Sequence, residues 1–190
     1  LPAFLAHNRR LGVGHFLFVE NASEDATAAI LADQPDVSVW RTEASYKASR
    51  FGMDWLTWLM LQFGHGHWCL TLDADEILVY PYWETRSLPA LTDWLDQQGR
   101  TSFGALTVDM YPDGPVSRQD LSVADDPITH LRWFDSGNYQ VQVQPRLRNL
   151  WIQGGPRARL YFAEDPKEAP AMNKIPLVKW DPSYAYVSST

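Results

Sequence analysis

The sequence predicts an α/β fold in which a mostly parallel sheet is flanked by helices. Three observations carry this reading. Up to Met110, apolar runs of strand length alternate with segments of helix length. The strand runs are apolar, the third of them, Trp68 to Leu72, almost wholly so, as in strands covered on both faces. From Pro112 onward the chain changes character: nine of its 13 prolines lie there, and its strand signals are short and irregular. That second half is expected to be loops and mixed strands packed on the first half, so 1–190 is read as one domain.

The elements follow in order. Pro2 to Leu11 reads as a helix, with Phe4, Leu5 and Leu11 on one side and Gly12 as its stop. His15 to Glu20 is a short apolar strand. Asn21 and Ser23 are residue types that cap helices, with Glu24 and Asp25 suited to a first turn, so a helix is expected to run to Asp33, closed by Pro35. Val37 to Arg41 is a second strand. Ser49 to Phe63 reads as a long helix, because Phe51, Trp55, Trp58 and Leu59 follow the i, i+4, i+7, i+8 pattern and Gly64 can end it. Trp68 to Leu72 is a third strand, Ser87 to Gln98 a helix, and Phe103 to Met110 a fourth strand.

Composition narrows the function. The net charge is −7 and no Lys/Arg run occurs, which argues against nucleic-acid binding. An acidic chain still binds a nucleotide diphosphate when a divalent cation carries the positive charge. The single cysteine, Cys69, allows no internal disulfide and no Cys-rich zinc site, and its place in an apolar strand suits a small core residue. Nine Trp are expected mainly to fill the core, with a few as flat walls for sugars or bases. No signal peptide and no apolar run of about 18 residues is present. No membrane span is expected, and the expected location is cytoplasmic, with a place at the membrane face left open. The chain starts at Leu1 and its first Met is Met53, so it reads as a fragment.

Ligands of open α/β sheets sit beyond the carboxyl ends of the strands. Glu20-Asn21 and Asp73-Ala74-Asp75 both fall at such ends. Side chains at i and i+2 of an extended segment point the same way, so Asp73 and Asp75 can aim two carboxylates at one point. Mg2+ and Mn2+ are held by one or two carboxylates, with substrate phosphates and water completing the shell. Glu76 is a third ligand or a hydrogen-bond partner of the other two. The bland alternative is a solvated turn after a strand. The apolar run Ile77-Leu78-Val79-Tyr80 encloses the acids and favours a functional role, since crowded carboxylates at a buried strand end need compensation. Lys47 and Arg50 are placed before or within the first turn of the long helix, where a phosphate is favoured. The alternative for both is a solvated helix end. His65 and His67 lie in a Gly-rich turn and read as structural.

Several stretches resemble glycosyltransferase family 2. Val19-Glu20-Asn21-Ala22-Ser23-Glu24-Asp25-Ala26-Thr27 resembles its DDGSTDGT segment, and Asp73-Ala74-Asp75-Glu76 its metal-binding DXD motif. His7-Asn8-Arg9-Arg10-Leu11-Gly12-Val13-Gly14-His15-Phe16 resembles the H-x-x-LGV-x-HF opening of a related bacterial branch. Gly154-Gly155-Pro156-Arg157-Ala158-Arg159 and Asn173-Lys174-Ile175-Pro176-Leu177-Val178 are similar to that branch too. The resemblance implies a GT-A fold, a Rossmann-like nucleotide half joined to an acceptor half. It implies Glu20 and Asn21 near the base or ribose of the donor, with Ser23 and Asp25 shaping the helix start. It also implies Lys47 and Arg50 at the diphosphate, and Asp73, Asp75 and Glu76 at the metal and donor. Asn21 stands where Asp is usual, and Ala22 and Ala26 where Gly is usual. A first strand is expected before Leu1, and a His after Ser188-Ser189-Thr190.

The function implied is metal-dependent transfer of a hexose from a nucleoside diphosphate, UDP favoured, to a carbohydrate or other hydroxyl, with inversion, as in polysaccharide biosynthesis. The cofactor is Mn2+ or Mg2+. Asp109, at the end of the fourth strand, is the first choice as general base, with Asp113, Asp135 and His130 as rivals. Three other readings remain. One is a non-catalytic nucleotide- or carbohydrate-binding module of the same fold. Another is an Asp-nucleophile phosphatase, disfavoured because the motif follows the third strand and Ile77 stands where Thr or Val is usual. A glycoside hydrolase needs acids spaced across a sugar, which i, i+2 neighbours do not provide.

Overall fold

The computed structural model describes residues 1–115, 127–146 and 149–187, a mixed α/β structure of helices and small sheets. The residues gather into two compact units. The first is Leu1–Phe103 with the segment from Pro176 onward, and the second is Gly104–Ile175.

In the first unit, helix α1 spans Pro2–Leu11, with Pro2 in its first turn and Gly12 as a left-handed C-cap. A Cβ on Gly12 would lie 3.0 Å from Pro89, so glycine serves both the backbone angle and a close approach. Phe4 packs edge-on against Phe16 and Phe18 of strand β1, Phe16–Glu20. β1 pairs in parallel with β2, Val37–Arg41, from Phe16 opposite Val37 to Glu20 opposite Arg41. Arg9 reaches Asp36 in the loop before β2 through its Nε at 2.8 Å.

The helix between these strands starts later than expected. α2 spans Thr27–Ala32, and its N-cap is Ala26 with no side-chain bond. Asn21 and Ser23 are engaged elsewhere, and Ala22 is left-handed at φ 52°, so the chain turns before it coils. The next helix also starts late. α3 spans Met53–Leu59, not from Ser49, because Arg50, Phe51 and Gly52 are all left-handed (φ 52°, 56° and 82°). It continues as a π-helical turn, Met60–Gly64. A Cβ on Gly64 would come within 3.3 Å of the side chains of Trp180, Cys69 and Met60, so glycine suits this tight ending.

Strand β3 is Trp68–Leu70, two residues shorter than expected. Helix α4, Leu88–Gln97, starts where the sequence places it, with Ser87 Oγ accepting from the Ala90 N–H. Strands β4, Ser102–Leu106, and β7, Asn173–Lys179, join β3 in a sheet of order β3–β7–β4. β3 runs antiparallel to β7, so parallel pairing is confined to β1 and β2 among the described strands. Asp96 on α4 accepts from Trp68 and Lys179 and ties the helix to this sheet; Lys179 holds its carboxyl below the usual range. The core of the unit includes Leu5, Leu11, Leu31, Leu59, Leu78, Tyr80, Leu95, Leu177 and Trp180. The aromatic residues are not all inside. Of the expected stripe on α3, Leu59 is buried, whereas Trp58 is 48% exposed and Phe63 beyond it 48%.

The second unit holds helix α5, Pro127–His130, the antiparallel hairpin of β5, Gln140–Gln144, and β6, Asn149–Gln153, and helix α6, Gly155–Tyr161. The buried Gln153 side chain donates to the carbonyls of Lys167 and Ala169. Both β4 and β7 pass through the boundary between the two units.

Candidate functional site

The acidic segment lies past the end of a strand, not on it. β3 stops at Leu70, and Thr71 and Leu72 lead into a turn at Asp73–Glu76. The Glu76 N–H donates to the Asp73 carbonyl at 3.0 Å, and the Glu76 carboxylate accepts from the Asp73 N–H at 3.0 Å. The alternation that would align Asp73 and Asp75 therefore does not apply, because Ala74 and Asp75 are in the turn. Both aspartates are exposed to water. The crowding expected of acids at a buried strand end is thus relieved by solvent. The flank does not enclose the acids as expected: Leu78 and Tyr80 are buried while Val79 is exposed, an extended run alternating between core and water, and the aspartates before it stay open to solvent.

Thr71 anchors the approach to this turn. Its N–H donates to the Pro176 carbonyl at 2.7 Å, and its hydroxyl shares a 2.7 Å hydrogen bond with the Tyr186 phenol.

The other predicted donor residues carry bonds within the fold. Glu20, at the carboxyl end of β1, is buried; its carboxylate accepts from the Ser23 N–H and from Arg41 Nε at 2.9 Å. Those donors, the Ser23 amide foremost, hold its carboxyl below the usual range. Asn21 Nδ2 donates to the carbonyls of Thr42 and Ala44, at 2.9 and 3.1 Å, and so joins the loops that follow β1 and β2. Asp25 Oδ1 accepts from the Thr27 N–H at 2.9 Å, and bonds from Thr27 lower its pKa. Arg50 lies in the left-handed turn before α3, donating through Nε to Asp54 at 2.8 Å and through Nη1 to the Tyr186 carbonyl at 3.3 Å. Lys47 is exposed in the same turn. Neither basic residue is in the first turn of the helix.

Cys69 is half-buried and its thiol is pushed up to about 11 by burial, so it is an inert neutral thiol at neutral pH. Beside α3, Val19, Trp40, Thr42, Trp55 and Trp58 line a shallow depression.

The acceptor-side candidates are in the second unit. Asp109 is paired with Arg157, whose Nε donates to it at 3.0 Å. Asp135 accepts from Tyr111 Oη at 2.9 Å and from Arg159 Nε at 2.9 Å, and Arg159 holds its carboxyl below the usual range. The Tyr139 hydroxyl donates to the Asp135 carbonyl. Asp113 lies in the turn after Pro112, and His130 ends α5. Arg157 and Arg159, two residues apart on α6, thus hold two of the candidate bases. The Gly154-Gly155-Pro156 run is the sequence signal for that arrangement. A Cβ at Gly154 would lie 2.6 Å from the Asn138 carbonyl, so glycine lets α6 begin there. Tyr111, Tyr139 and Tyr186 were not legible as site residues, because their partners are remote in sequence.

Among the described residues, no group of three or more His, Cys, Asp or Glu side chains is gathered to hold a metal ion, and no helix is long and apolar enough to cross a membrane. Residues 188–190, where the resemblance points onward to a His, lie outside the described residues. Comparison with protein-family models, with curated proteins and with solved structures finds no match to this chain.

Proposed function

We propose that this protein is a metal-dependent glycosyltransferase of GT-A type, moving a hexose from a nucleoside diphosphate, UDP favoured, to an acceptor hydroxyl with inversion. The observation that carries the reading is the turn Asp73–Glu76, with Asp73 and Asp75 exposed to water and with Thr71 and Leu72 between it and the end of the apolar strand β3, in the unit that also holds the parallel pair β1–β2. The carboxylate oxygens of Asp73 and Asp75 suit a hard divalent cation by their chemistry. Two exposed carboxylates, Asp73 and Asp75, would hold Mn2+ or Mg2+, leaving the remaining positions to phosphate oxygens and water. Such an ion, when bound, neutralises charge on the leaving diphosphate. Glu76, through its bond to the Asp73 N–H, shapes the turn.

In the transfer, the acceptor oxygen bonds to the anomeric carbon as the bond from that carbon to the diphosphate breaks. The acceptor proton passes to a base. Asp109 is the first candidate and must exchange its Arg157 partner for the hydroxyl; Asp113 and His130 are alternatives. Asp135 is disfavoured as the base, because Arg159 favours its ionised form.

A screen of nucleotide-sugars for Mn2+-dependent nucleotide release, with calorimetry of UDP binding, tests the proposal. Absence of binding by any nucleotide-sugar with metal present would overturn it. The second reading is a binding module without transfer, favoured by the arginine partners that already hold the candidate bases Asp109 and Asp135. Binding without turnover identifies that module, and a covalent phospho-adduct on Asp73 identifies a phosphatase.

A further inference from the structure

We propose that Tyr186 is a positioning residue that latches the approach to the acidic turn onto α3 and Arg50. The inference rests on reading Asp73–Glu76 as the donor site. From Asp181 to Val187 every residue is exposed except Tyr186. Four contacts converge on it. Its phenol shares a 2.7 Å hydrogen bond with Thr71 Oγ1. Its ring lies tilted against that of the buried Trp180, with centroids 5.5 Å apart. Its N–H donates to Thr57 Oγ1 on α3 at 3.2 Å, and its carbonyl accepts from Arg50 Nη1 at 3.3 Å.

One residue therefore joins the strand end that leads to Asp73, helix α3, and the arginine that the resemblance assigns to the diphosphate. The bonds between Asp73 and Glu76 are local and shape the turn without setting its direction. Thr71, two residues upstream, ties that turn to its surroundings, and Tyr186 supplies the bond to its side chain. Release of the phenol from Thr71 frees the approach to the turn, while the Tyr186 main chain keeps its bonds to Thr57 and Arg50.

Amide hydrogen exchange, read residue by residue, tests the latch. The variants are Tyr186→Phe, which keeps the ring and removes the hydroxyl, Thr71→Val, and the double substitution. Each single variant is expected to speed exchange at the Asp73 and Glu76 amides about 2- to 10-fold, the factor equivalent to one net hydrogen bond. The double variant is expected to be no faster than either single, and the Leu91 amide in α4 to be unchanged. UDP with Mn2+ is expected to slow the same two amides, less so in Tyr186→Phe than in the parent. Unchanged exchange at Asp73 and Glu76 in Tyr186→Phe overturns the latch, as does an equal acceleration at every amide. Acceleration without any protection by UDP and Mn2+ in the parent supports the latch and counts against the donor site.

Discussion

Asp75 faces water in a turn, and no core contact depends on its charge. Asp75→Asn is therefore expected to leave folding stability within about 0.5 kcal/mol, the range of surface substitutions, while abolishing Mn2+-dependent turnover. Retained turnover would remove Asp75 from the metal site. Glu20 is the opposite case: it is buried, and its role is in the fold. Its carboxyl is held below the usual range by the Ser23 amide and Arg41. A depressed carboxyl contributes stability that is present above the unfolded value, about 4.3, and is lost as pH falls through the lower folded value. Glu20→Gln is thus expected to be less stable than the parent at pH 7, with the gap closing below about pH 4.3. Urea titrations at several pH values measure this, and a gap independent of pH would contradict it. These residue types and their clustering at strand ends were legible in the sequence. Their partners were not, because Arg41 and Thr42 come beside Glu20 and Asn21 only when β2 pairs with β1.

Element ends marked by a capping residue type were legible, and those set by an unusual backbone conformation were not. α1 and α4 have the expected bounds: Pro2 and Gly12 delimit one, and Ser87 caps the other. Ser87→Ala is expected to cost about 0.5–2 kcal/mol, as for other N-cap deletions, measured by urea denaturation. α3 shows the other behaviour. Its apolar period extends back to Phe51, yet three left-handed residues delay the start to Met53, and Ser49, Arg50 and Tyr46 make turn bonds instead. Gly154 carries a comparable constraint in the second unit. Its φ is 149°, and the methyl carbon of an alanine there would lie 2.6 Å from the Asn138 carbonyl oxygen. Gly154→Ala is expected to destabilise by about 1–3 kcal/mol, as in overpacked sites. A loss confined to probes in 104–175 would place the effect in that unit, and an unchanged denaturation midpoint would refute it.

At the scale of the whole molecule, a charge of −7 with two exposed aspartates after β3 makes electrostatic attraction of a free diphosphate unfavourable without a cation. UDP alone is therefore expected to leave the Tm unchanged, whereas UDP with Mn2+ at about 100 times the dissociation constant adds about 2.7 kcal/mol. For a chain of this size that corresponds to a rise of roughly 5–10 °C. An equal response with and without Mn2+ would argue against a metal-completed site. By itself the sequence determined the α/β class, the positions of β1, β2, α1 and α4, and the candidate acids, because hydrophobic period, caps and charge are local properties. Only the tertiary structure decided that β3 pairs antiparallel with β7, that Asp73 and Asp75 stand in a solvated turn, and that Arg157, Arg159 and Tyr186 hold the candidate groups. Those outcomes depend on which residues distant in the chain meet, and hydrogen bonds and ion pairs of that kind leave no periodic trace along it.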